Sequence, residues 1–260
     1  MVIVITGGSS GIGLETARLF AENPTNKVFV LNRRSVNVSN ITSINCDITS
    51  DKDIDKALGK IIKEVGSVDL LINNAGMGIS GAIENHDLVD IKKIVDVNFV
   101  GLVNVTRKFI PYLRNSKGMI INISSVAGPI SIPFQTMYSA TKSAILAFSN
   151  GLRNELRPYG VRVTSVLPGD TKTGFTDSRK KSDDIGNYGD RIEKSVSKME
   201  KDERNGVPAS KVARLIKKVS KKKNPNTYYV VGTSYHLLVF LSRILPKRLV
   251  NWIVYQLYAK

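Results

Sequence analysis

The 260-residue sequence has one cysteine, Cys46, and two histidines, His86 and His236. A single cysteine excludes an internal disulfide framework and a cysteine-based zinc site, and it is compatible with a reducing compartment. The two histidines are too isolated in the sequence to suggest a metal site, so no metal is expected.

Long hydrophobic runs are also missing. No uninterrupted apolar stretch reaches the roughly 18–20 residues that a membrane-spanning helix needs. The apolar opening, Met1–Ile5, is too short for the core of a signal peptide, and glycines follow it almost at once. These absences predict a cytoplasmic protein.

Acidic residues are scarce: 22 Asp and Glu stand against 38 Lys and Arg, a net charge of +16, and none follows Glu203. Residues 1–170 have 18 basic and 14 acidic side chains, whereas residues 171–260 have 20 and 8, so most of the excess lies in the last third. A nucleic acid, an anionic membrane, an anionic ligand or a solvated lysine-rich face would each fit this charge. The basic stretch between Lys211 and Lys223 has no aromatic residue on which bases could stack, and no nucleic-acid partner is expected.

The remaining composition is that of an ordinary globular chain. Hydrophobic residues make up 42% and charged residues 23%, which excludes a disordered tail and a fibrous repeat. Because this length suits a single α/β core, we expect residues 1–260 to form one domain.

Short runs rich in Val and Ile recur along the chain, and each predicts a strand buried on both faces. They are Val2–Ile5, Val28–Leu31, Ile41–Ile44, Leu70–Ile72, Met119–Ile123, Val161–Leu167 and Tyr228–Val231. Helical spacing of apolar residues lies between most of them, at Gly11–Glu22, Asp51–Val65, Leu88–Arg114, Tyr138–Arg157 and Ala209–Val219. Because parallel strands need long crossovers, the alternation predicts an α/β fold, a doubly wound parallel sheet of about seven strands with helices on both faces.

Two segments depart from this alternation. Residues 171–208 are rich in charge, Ser and Gly, and we expect a mobile substrate loop or lid there. Residues 234–260 repeat apolar side chains at helical spacing, which predicts an amphipathic helical extension. For residues 235–260 the interpretations are helices packed on the core or on a second subunit, a lipid-facing cap, or an anchor at a membrane surface.

A glycine-rich turn follows the first strand and leads into the first helix. It reads Thr6-Gly-Gly-Ser-Ser-Gly-Ile-Gly13, a G-x-x-x-G-x-G spacing that differs from the G-x-G-x-x-G dinucleotide fingerprint. Such glycines permit a tight turn, close approach of backbone N–H groups to a pyrophosphate and close packing of helix on strand. The strand–turn–helix context favours dinucleotide binding over a plain turn, through Gly7, Ser9, Ser10, Gly11, Ile12 and Gly13.

The second strand ends in Asn32, Arg33 and Arg34, where a dinucleotide fold meets the adenosine ribose. A carboxylate here would accept hydrogen bonds from a 2′-hydroxyl, but this chain has a neutral residue and two guanidinium groups, which can bind a 2′-phosphate. We therefore expect NADP(H) in preference to NAD(H). The alternative is a pair of solvated arginines.

Two further strand ends carry candidate cofactor residues. Asp47 and Ile48 follow the third strand, and Asp47 either accepts a hydrogen bond from the adenine amino group or serves the turn before the next helix. The fourth strand runs into Asn73–Gly76, whose small residues would let the backbone lie against the cofactor, although the same stretch would suit a plain turn. The candidates in that stretch are Asn74, Ala75 and Gly76.

The strongest chemical signal is Tyr138 with Lys142, which are four residues apart and therefore on one face of a helix. A charge pair at about 4 Å with an effective dielectric of about 20 is worth roughly 4 kcal/mol, enough to bring the pKa of a phenol from about 10 toward neutrality. Ser125 stands thirteen residues before Tyr138, at the end of the fifth strand, where it can orient a carbonyl or hydroxyl group. A surface pair is the alternative interpretation.

Together these motifs resemble the short-chain dehydrogenase/reductase family over essentially residues 1–175. The resemblance implies a Rossmann-type domain. Many NADP-dependent members have a basic residue where this chain has Ser10, which is a departure. The matching positions, in the family's order and spacing, are Thr6–Gly13, Asp47, Asn73–Gly76, Asn98, Ser125, Tyr138, Lys142 and Pro168-Gly169.

The resemblance also implies roles for these residues. Tyr138 would be the general acid/base, and Ser125 would hold the substrate oxygen. Lys142 would bind the nicotinamide ribose and lower the tyrosine pKa, while Asn98 would position a water in a proton relay. Further contacts to the cofactor carboxamide and phosphates are implied near Pro168, Gly169, Thr171 and Thr173.

The expected activity interconverts a ketone or aldehyde and an alcohol, by hydride transfer with NADP(H) and proton transfer through Tyr138. The stretch Asn74–Ile83 resembles members that act on steroids, retinoids and other lipophilic compounds, which favours a lipophilic substrate. The alternatives are an NAD-dependent enzyme for a small polar alcohol, or a non-catalytic Rossmann protein that senses dinucleotides or binds a nucleic acid or membrane. A homodimer or homotetramer is expected.

Overall fold

A parallel sheet forms the centre of the structure, a computed structural model that describes residues 1–182 and 186–260. The strands in these ranges are β1 (Val2–Thr6), β2 (Lys27–Asn32), β3 (Ile41–Asn45), β4 (Leu70–Asn73), β5 (Ile79–Ser80), β6 (Met119–Ile123), β7 (Arg162–Pro168), β8 (Thr171–Lys172), β9 (Lys180–Lys181), β10 (Val207–Pro208) and β11 (Tyr228–Val231). The main sheet has the order β11-β7-β6-β4-β1-β2-β3, and each neighbouring pair in it is parallel. The prediction of a doubly wound parallel sheet of seven strands is confirmed.

Helices cover both faces of the sheet. Those in the described residues are α1 (Gly11–Ala21), α2 (Asp51–Val65), α3 (Leu88–Val95), α4 (Gly101–Ser116), α5 (Thr136–Leu156), α6 (Arg191–Arg204), α7 (Ala209–Ser220), α8 (Thr233–Ile244) and α9 (Lys247–Tyr258). Apolar side chains of α2, α4 and α5 join the core on one face, and those of α1 and α7 join the core on the other.

The apolar runs of the sequence follow from this arrangement. Successive side chains of a strand point to opposite faces of the sheet. In β1, Ile3 and Ile5 pack with α1 and α7, whereas Val4 packs with α2, α4 and α5. Both faces of the central strands therefore need apolar residues, and a continuous Val/Ile run results.

The order of the strands marks where a ligand should bind. The chain runs outward from β1 through β2 to β3 and then returns to the other side of β1 at β4. In open α/β sheets, ligands bind beyond the carboxyl ends of the strands at such a reversal. Thr6 and Asn73 end β1 and β4 at this point.

Two strand and helix predictions need correction. The strand β3 was expected to be buried on both faces, but Thr42 and Asn45 are exposed because β3 forms an edge of the sheet. The single helix expected over Leu88–Arg114 is instead α3 and α4, separated by a π-helical turn at Asp96–Val100. The wider turn changes the directions in which its side chains leave the helix, and such turns are frequent at functional sites.

The expectation of a loop over residues 171–208 is wrong for the part that forms α6. This helix buries Ile192, Val196 and Met199, which share one face, while its other side chains are mostly charged. Residues 183–185 of the expected lid lie outside the described residues, and the mobility of the segment stays a prediction.

The C-terminal helical extension is confirmed as two helices, α8 and α9, joined at Leu245 and Pro246. Arg191 of α6 donates to the carbonyl oxygen of Ala259 at 2.6 and 2.9 Å, and Lys198 donates to that of Leu257 at 2.9 Å. These cations hold the C-terminal end of α9, where the helix dipole favours positive charge. In the two described ranges, no helix has the length and apolar character needed to cross a membrane.

Polar side chains connect the centre of the sheet to two helices. Asn73 of β4 donates to Asn122 Oδ1 of β6 at 2.9 Å and to Thr106 Oγ1 of α4 at 2.8 Å. Asn122 in turn donates to Ser149 Oγ of α5 at 2.8 Å. The four residues are buried, and the network fixes the strand ends relative to α4 and α5.

We expect Asn122→Ala to lower the free energy of unfolding by about 1–3 kcal/mol, because one N–H of Asn73 loses its acceptor and Ser149 loses a donor. Asn115→Ala, at an exposed position of α4, should change it by less than about 0.5 kcal/mol. Urea denaturation measures both variants. Equal destabilisation by the two would contradict the structural role of the network.

Candidate active site

The glycine turn after β1 is shaped by close backbone contacts. Gly7 has a φ of +67° and Gly11 a φ of +53°, a region that glycine adopts without strain. A Cβ atom on Gly7 would lie 2.8 Å from Ala75 Cα, and one on Gly13 would lie 2.2 Å from Gly7 O. Larger residues would separate α1 from β1, so these glycines bring the N-terminus of α1 to the end of the strand.

Hydrogen bonds join this turn to the loop after β4. Thr6 Oγ1 accepts from the backbone N–H groups of Asn74 at 3.0 Å and Ala75 at 3.1 Å. The Asn74 amide donates to Thr6 O at 3.1 Å and to Gly7 O at 3.0 Å. The two motifs predicted for cofactor binding therefore form one unit at the reversal of strand order.

Asn32, Arg33 and Arg34 lie at the end of the neighbouring strand β2. The Asn32 amide donates to Ser43 Oγ at 3.3 Å and to the Arg34 carbonyl oxygen, which fixes the backbone of the arginines. Asn32 Oδ1 is buried and has no hydrogen-bond partner within the described part of the chain. Both arginines are exposed, and no salt bridge to either occurs in residues 1–182 and 186–260.

Asp47 serves a turn. Its Oδ1 accepts from the backbone N–H of Thr49 at 2.9 Å and from the Thr49 hydroxyl at 2.8 Å. Ser50 caps α2, since its hydroxyl accepts from the Asp53 N–H at 3.2 Å. The turn role that the sequence left open is thus present, and Asp47 lines the cavity described below as well.

Ser125, Tyr138 and Lys142 come together at the carboxyl end of β6. Ser125 follows that strand, and α5 presents Tyr138 and Lys142 from successive turns. Ser125 Oγ accepts from the backbone N–H of Ala127 at 3.1 Å, and the Ser125 hydroxyl acts on Tyr138 to lower its pKa. Lys142 Nζ donates to Ile123 O at 3.0 Å and lies 5.6 Å from the centre of the Tyr138 ring. The neighbouring Ser124 also lines the cavity described below, but its hydroxyl donates to the Lys142 carbonyl oxygen at 2.8 Å.

The expected lowering of the tyrosine pKa is wrong for the protein alone. Desolvation raises the pKa of Tyr138 to about 12, and the influence of the Ser125 hydroxyl, which lowers it, opposes this only in part. Desolvation also lowers the pKa of Lys142 to about 8. Burial penalises the charged form of both groups, and this outweighs the attraction of an ammonium for a phenolate at the observed separation.

Asn98 lies behind the cavity, fully buried in the π-helical turn. Its Oδ1 accepts from Met77 N at 2.8 Å, and its amide donates to Met77 O at 2.9 Å and to Thr141 Oγ1 at 3.1 Å. Both N–H groups are used, so a water could bond only through the remaining lone pair of Oδ1. The water-positioning role stays a prediction, whereas support of the loop after β4 is visible.

The end of β7 completes this side of the site. Pro168 ends the strand, Gly169 and Asp170 follow, and Thr171 Oγ1 donates to Gly169 O at 2.9 Å. A Cβ atom on Gly169 would lie 2.1 Å from the Tyr235 ring, so only glycine lets α8 approach here. Thr173 faces the glycine turn, since its Cβ would lie 3.3 Å from a Cβ on Gly11.

A cavity of about 980 Å³ connects these strand ends with the C-terminal helices. Ser125 lines it, whereas Gly13 and Asn98 do not. The other predicted residues that line it are Gly7, Ser9, Ser10, Gly11, Ile12, Asn32, Arg33, Arg34, Asp47, Ile48, Asn74, Ala75, Gly76, Tyr138, Lys142, Pro168, Gly169, Thr171 and Thr173.

The far half of the cavity is apolar. Its lining there comes from α8, α9 and the turn between them, together with Ile130 and Ile132 after β6. We call this region the apolar half. Tyr235, Ser242 and Tyr258 of these helices also line the cavity, and the apolar C-terminal members are Leu238, Leu241, Leu245, Val250, Ile253, Val254 and Leu257.

Four residues that line the cavity, Phe175, Asp170, Tyr235 and Glu203, were not predicted from the sequence. The Phe175 ring centre lies 5.7 Å from that of Tyr138. Asp170 accepts a hydrogen bond from the Tyr235 hydroxyl, and Glu203, which lines the cavity, forms a buried ion pair with Arg179. Asp170 and Tyr235 follow β7 and β11, so their places at carboxyl ends of strands could have identified them. Glu203 does not follow a strand of the main sheet, so no sequence pattern could have identified it.

The residues present fit a dinucleotide. The glycine turn leaves no room for side chains beside the first turn of α1, where free backbone N–H groups and the helix dipole favour phosphate. Asn32 Oδ1, an unpartnered acceptor, lies where a ribose or adenine would be expected. Gly7–Ile12, Asn32–Arg34 and Asn74–Gly76 would hold the adenosine diphosphate portion, and Tyr138 and Lys142 the nicotinamide ribose.

A Rossmann-type sheet with this site defines a dinucleotide-dependent oxidoreductase. Residues 1–184 match the family described as short chain dehydrogenase. The chain belongs to this family.

Individual relatives match over nearly the whole chain. The 3-ketodihydrosphingosine reductase of Bacteroides thetaiotaomicron is 37% identical over 263 residues, covering 99% of this chain and 98% of the relative. A short-chain dehydrogenase from Streptomyces avermitilis has a similar crystal structure, with a TM-score of 0.83, 25% identity, and coverage of 98% and 95%. The closed form of serine dehydrogenase complexed with NADP+ is also similar, with a TM-score of 0.77, 26% identity, and coverage of 89% and 94%.

The buried Lys142 predicts a pH-dependent stability. Because its pKa is lowered to about 8 in the folded state, the unfolded chain binds more protons above that pH, and stability should rise with pH up to about 10.5. Lys142→Met removes this dependence. The native chain should therefore gain about 2 kcal/mol relative to the variant between pH 7 and pH 9.5.

Guanidinium denaturation of both proteins at the two pH values measures this gain. A stability difference that is the same at both would show that the Lys142 ammonium is not desolvated.

Proposed function

We propose that the protein catalyses the NADP(H)-dependent interconversion of a ketone and an alcohol in a long-chain lipid, of which 3-ketodihydrosphingosine is an example. The observation that carries the proposal is that Tyr138 and the apolar half, lined by α8 and α9, belong to one cavity. A long hydrocarbon chain would be removed from water there while its carbonyl group lies at Tyr138. Each buried methylene contributes about 0.8 kcal/mol to binding.

A bound nicotinamide dinucleotide supplies the hydride to the carbonyl carbon in the direction of reduction. The Tyr138 hydroxyl donates its proton to the carbonyl oxygen, and Ser125, which lines the same cavity, positions that oxygen. A tyrosine with a pKa raised to about 12 is protonated at neutral pH, as a proton donor must be. Oxidation of the alcohol needs the opposite transfer, so its rate should rise toward alkaline pH.

Lys142 and Asn98 support this chemistry from positions next to the loop after β4. A pKa of about 8 leaves Lys142 mostly protonated at pH 7, so that a cation lies beside the phenol as negative charge develops on it. A Cβ on Gly76 would lie 3.6 Å from Lys142 Nζ and 3.3 Å from Asn98 Oδ1. Both groups thus border the loop on which the cofactor would rest.

The relatives support the same substrate class. The 3-ketodihydrosphingosine reductase matches through the C-terminal helices, since the alignment covers 99% of this chain. Serine 3-dehydrogenase of Agrobacterium fabrum, which favours the alternative of a small polar substrate, is also 37% identical, but over 67% of this chain. A small polar alcohol would leave the apolar half of the cavity unfilled, so the lipid is the better fit.

Preference for NADP(H) follows from Arg33 and Arg34. Both line the cavity, and no carboxylate neutralises them within the described residues. Guanidinium groups held by the fixed end of β2 can bind a 2′-phosphate in bidentate fashion. The serine dehydrogenase structure contains NADP+, which agrees with this preference.

The activity is tested with 3-ketodihydrosphingosine in detergent micelles, by following NADPH absorbance. The native chain should turn over this substrate. Tyr138→Phe should lose roughly 10²–10⁴-fold in kcat, because the proton donor is removed. Tyr159→Phe, at an exposed position outside the cavity, should be unchanged.

NADPH binding, measured by fluorescence, should survive in Tyr138→Phe and thus show an intact site. Near-native turnover by that variant, or faster turnover of serine than of the lipid by the native chain, would contradict the proposal.

Cofactor choice is tested by Arg33→Ala combined with Arg34→Ala. Loss of the two charge-assisted contacts should lower kcat/KM for NADPH by roughly 100-fold or more and leave that for NADH nearly unchanged. Arg157→Ala removes an exposed arginine outside the cavity and should alter neither value. A native chain that uses NADH more efficiently than NADPH would refute the assignment.

A further inference from the structure

The hairpin formed by the consecutive helices α8 and α9 has apolar residues on two sides. Its inner side forms the apolar half of the cavity. On its outer side, six large apolar or aromatic side chains that do not line this cavity are between 41% and 64% exposed. We call these residues the outer face: Leu237, Phe240, Ile244, Leu249, Trp252 and Tyr255.

Positive charge accompanies the outer face. Arg243, Lys247 and Arg248 are exposed on the same two helices, which contain no acidic residue. Arg248 and Trp252 line one shallow cleft next to the turn between the helices. Aromatic and cationic side chains in this arrangement suit the boundary between lipid headgroups and acyl chains.

We propose that the outer face docks on the surface of an anionic lipid bilayer. The helices would lie in the plane of the membrane, with the apolar side chains among the upper acyl chains and the cations at the phosphates. Apolar burial and attraction to anionic lipid act together in such binding.

Charge argues against a second copy as the occupant. A symmetric contact through the outer face would bring Arg243, Lys247 and Arg248 of two chains together, with no carboxylate on α8 or α9 to pair with them. An anionic bilayer supplies the opposite charge.

The opening of the cavity lies next to the docking surface. This part of the inference rests on the proposed function. Leu238, Leu241 and Leu257 line the cavity, yet each is exposed on the hairpin. The cavity therefore opens beside the outer face. A lipid could pass from the bilayer to Tyr138 along apolar surface without entering water.

Docking is measured without turnover, by co-sedimentation with sucrose-loaded vesicles. The native chain should bind vesicles of phosphatidylcholine with phosphatidylglycerol much more strongly than vesicles of phosphatidylcholine alone. Absence of binding to both would overturn the proposal. A chain that binds vesicles but does not reduce 3-ketodihydrosphingosine would contradict the proposed function and leave docking supported.

A pair of charge variants tests the location. Changing Arg243, Lys247 and Arg248 to Gln should weaken binding to anionic vesicles by roughly 100-fold at low salt. Changing Lys221, Lys222 and Lys223 to Gln removes the same charge from an exposed stretch outside the hairpin and should weaken it less than threefold. Equal losses would show attraction by net charge alone and overturn the proposal.

A pair of apolar variants tests insertion. Leu237→Gln with Phe240→Gln should weaken vesicle binding at least tenfold. Leu88→Gln with Val89→Gln, at exposed apolar positions of α3, should not. Circular dichroism checks that each variant is folded. If sedimentation velocity shows that the first pair dissociates a dimer while vesicle binding is unchanged, the outer face is a subunit interface and the proposal is wrong.

Discussion

The buried ammonium of Lys142 constrains the whole site. Its hydrogen bond to Ile123 O, at 3.0 Å, fixes α5 against the carboxyl end of β6. Removal of a cation from water is unfavourable, and the lowering of the Lys142 pKa to about 8 reflects that cost. The surrounding scaffold must offset it, through the packed sheet and the Asn73–Asn122 network beneath. Tyr138 and Ser125 are aligned by the same two elements.

Desolvation also determines the protonation state of Tyr138. In the protein alone, burial favours the neutral phenol, with a pKa of about 12, and the neighbouring lysine does not reverse this. The site is therefore prepared to donate a proton in reduction more readily than to accept one in oxidation. The deep, apolar surroundings that produce this effect are continuous with the surface that would bind a hydrocarbon chain.

The C-terminal hairpin, α8 and α9, forms part of the cavity wall. The sheet and its strand ends form the half of the cavity that fits a dinucleotide, as expected for a short chain dehydrogenase. The helices α8 and α9 close the other half, and Arg191 and Lys198 hold the end of α9 in place. In the proposed function, the same two helices would select the substrate and border the mouth of the cavity.

Features that depend on short sequence patterns could be predicted. The positions of all seven strands of the main sheet follow from short apolar runs, although burial on both faces explains such runs only for the inner strands and not for the edge strand β3. The meeting of Ser125, Tyr138 and Lys142 follows from helix geometry and strand ends. The π-helical turn at Asn98 could not be predicted, since the apolar spacing continues through it. The helix α6 could not be predicted because most of its residues are charged or polar.

Features that depend on a balance of competing effects could not be predicted from the sequence either. The direction of the Tyr138 pKa shift depends on burial, which spacing does not reveal. Spacing likewise could not decide among the interpretations of the C-terminal segment, whereas the structure places its inner side on the cavity.

The central claim is that one cavity places a lipid chain beside Tyr138. Measurement of kcat/KM for a series of 3-ketodihydrosphingosine analogues that differ in chain length tests it most directly. If the chain is buried in the apolar half, kcat/KM should rise by about fourfold for each added methylene until the cavity is filled. A value independent of chain length would contradict the account.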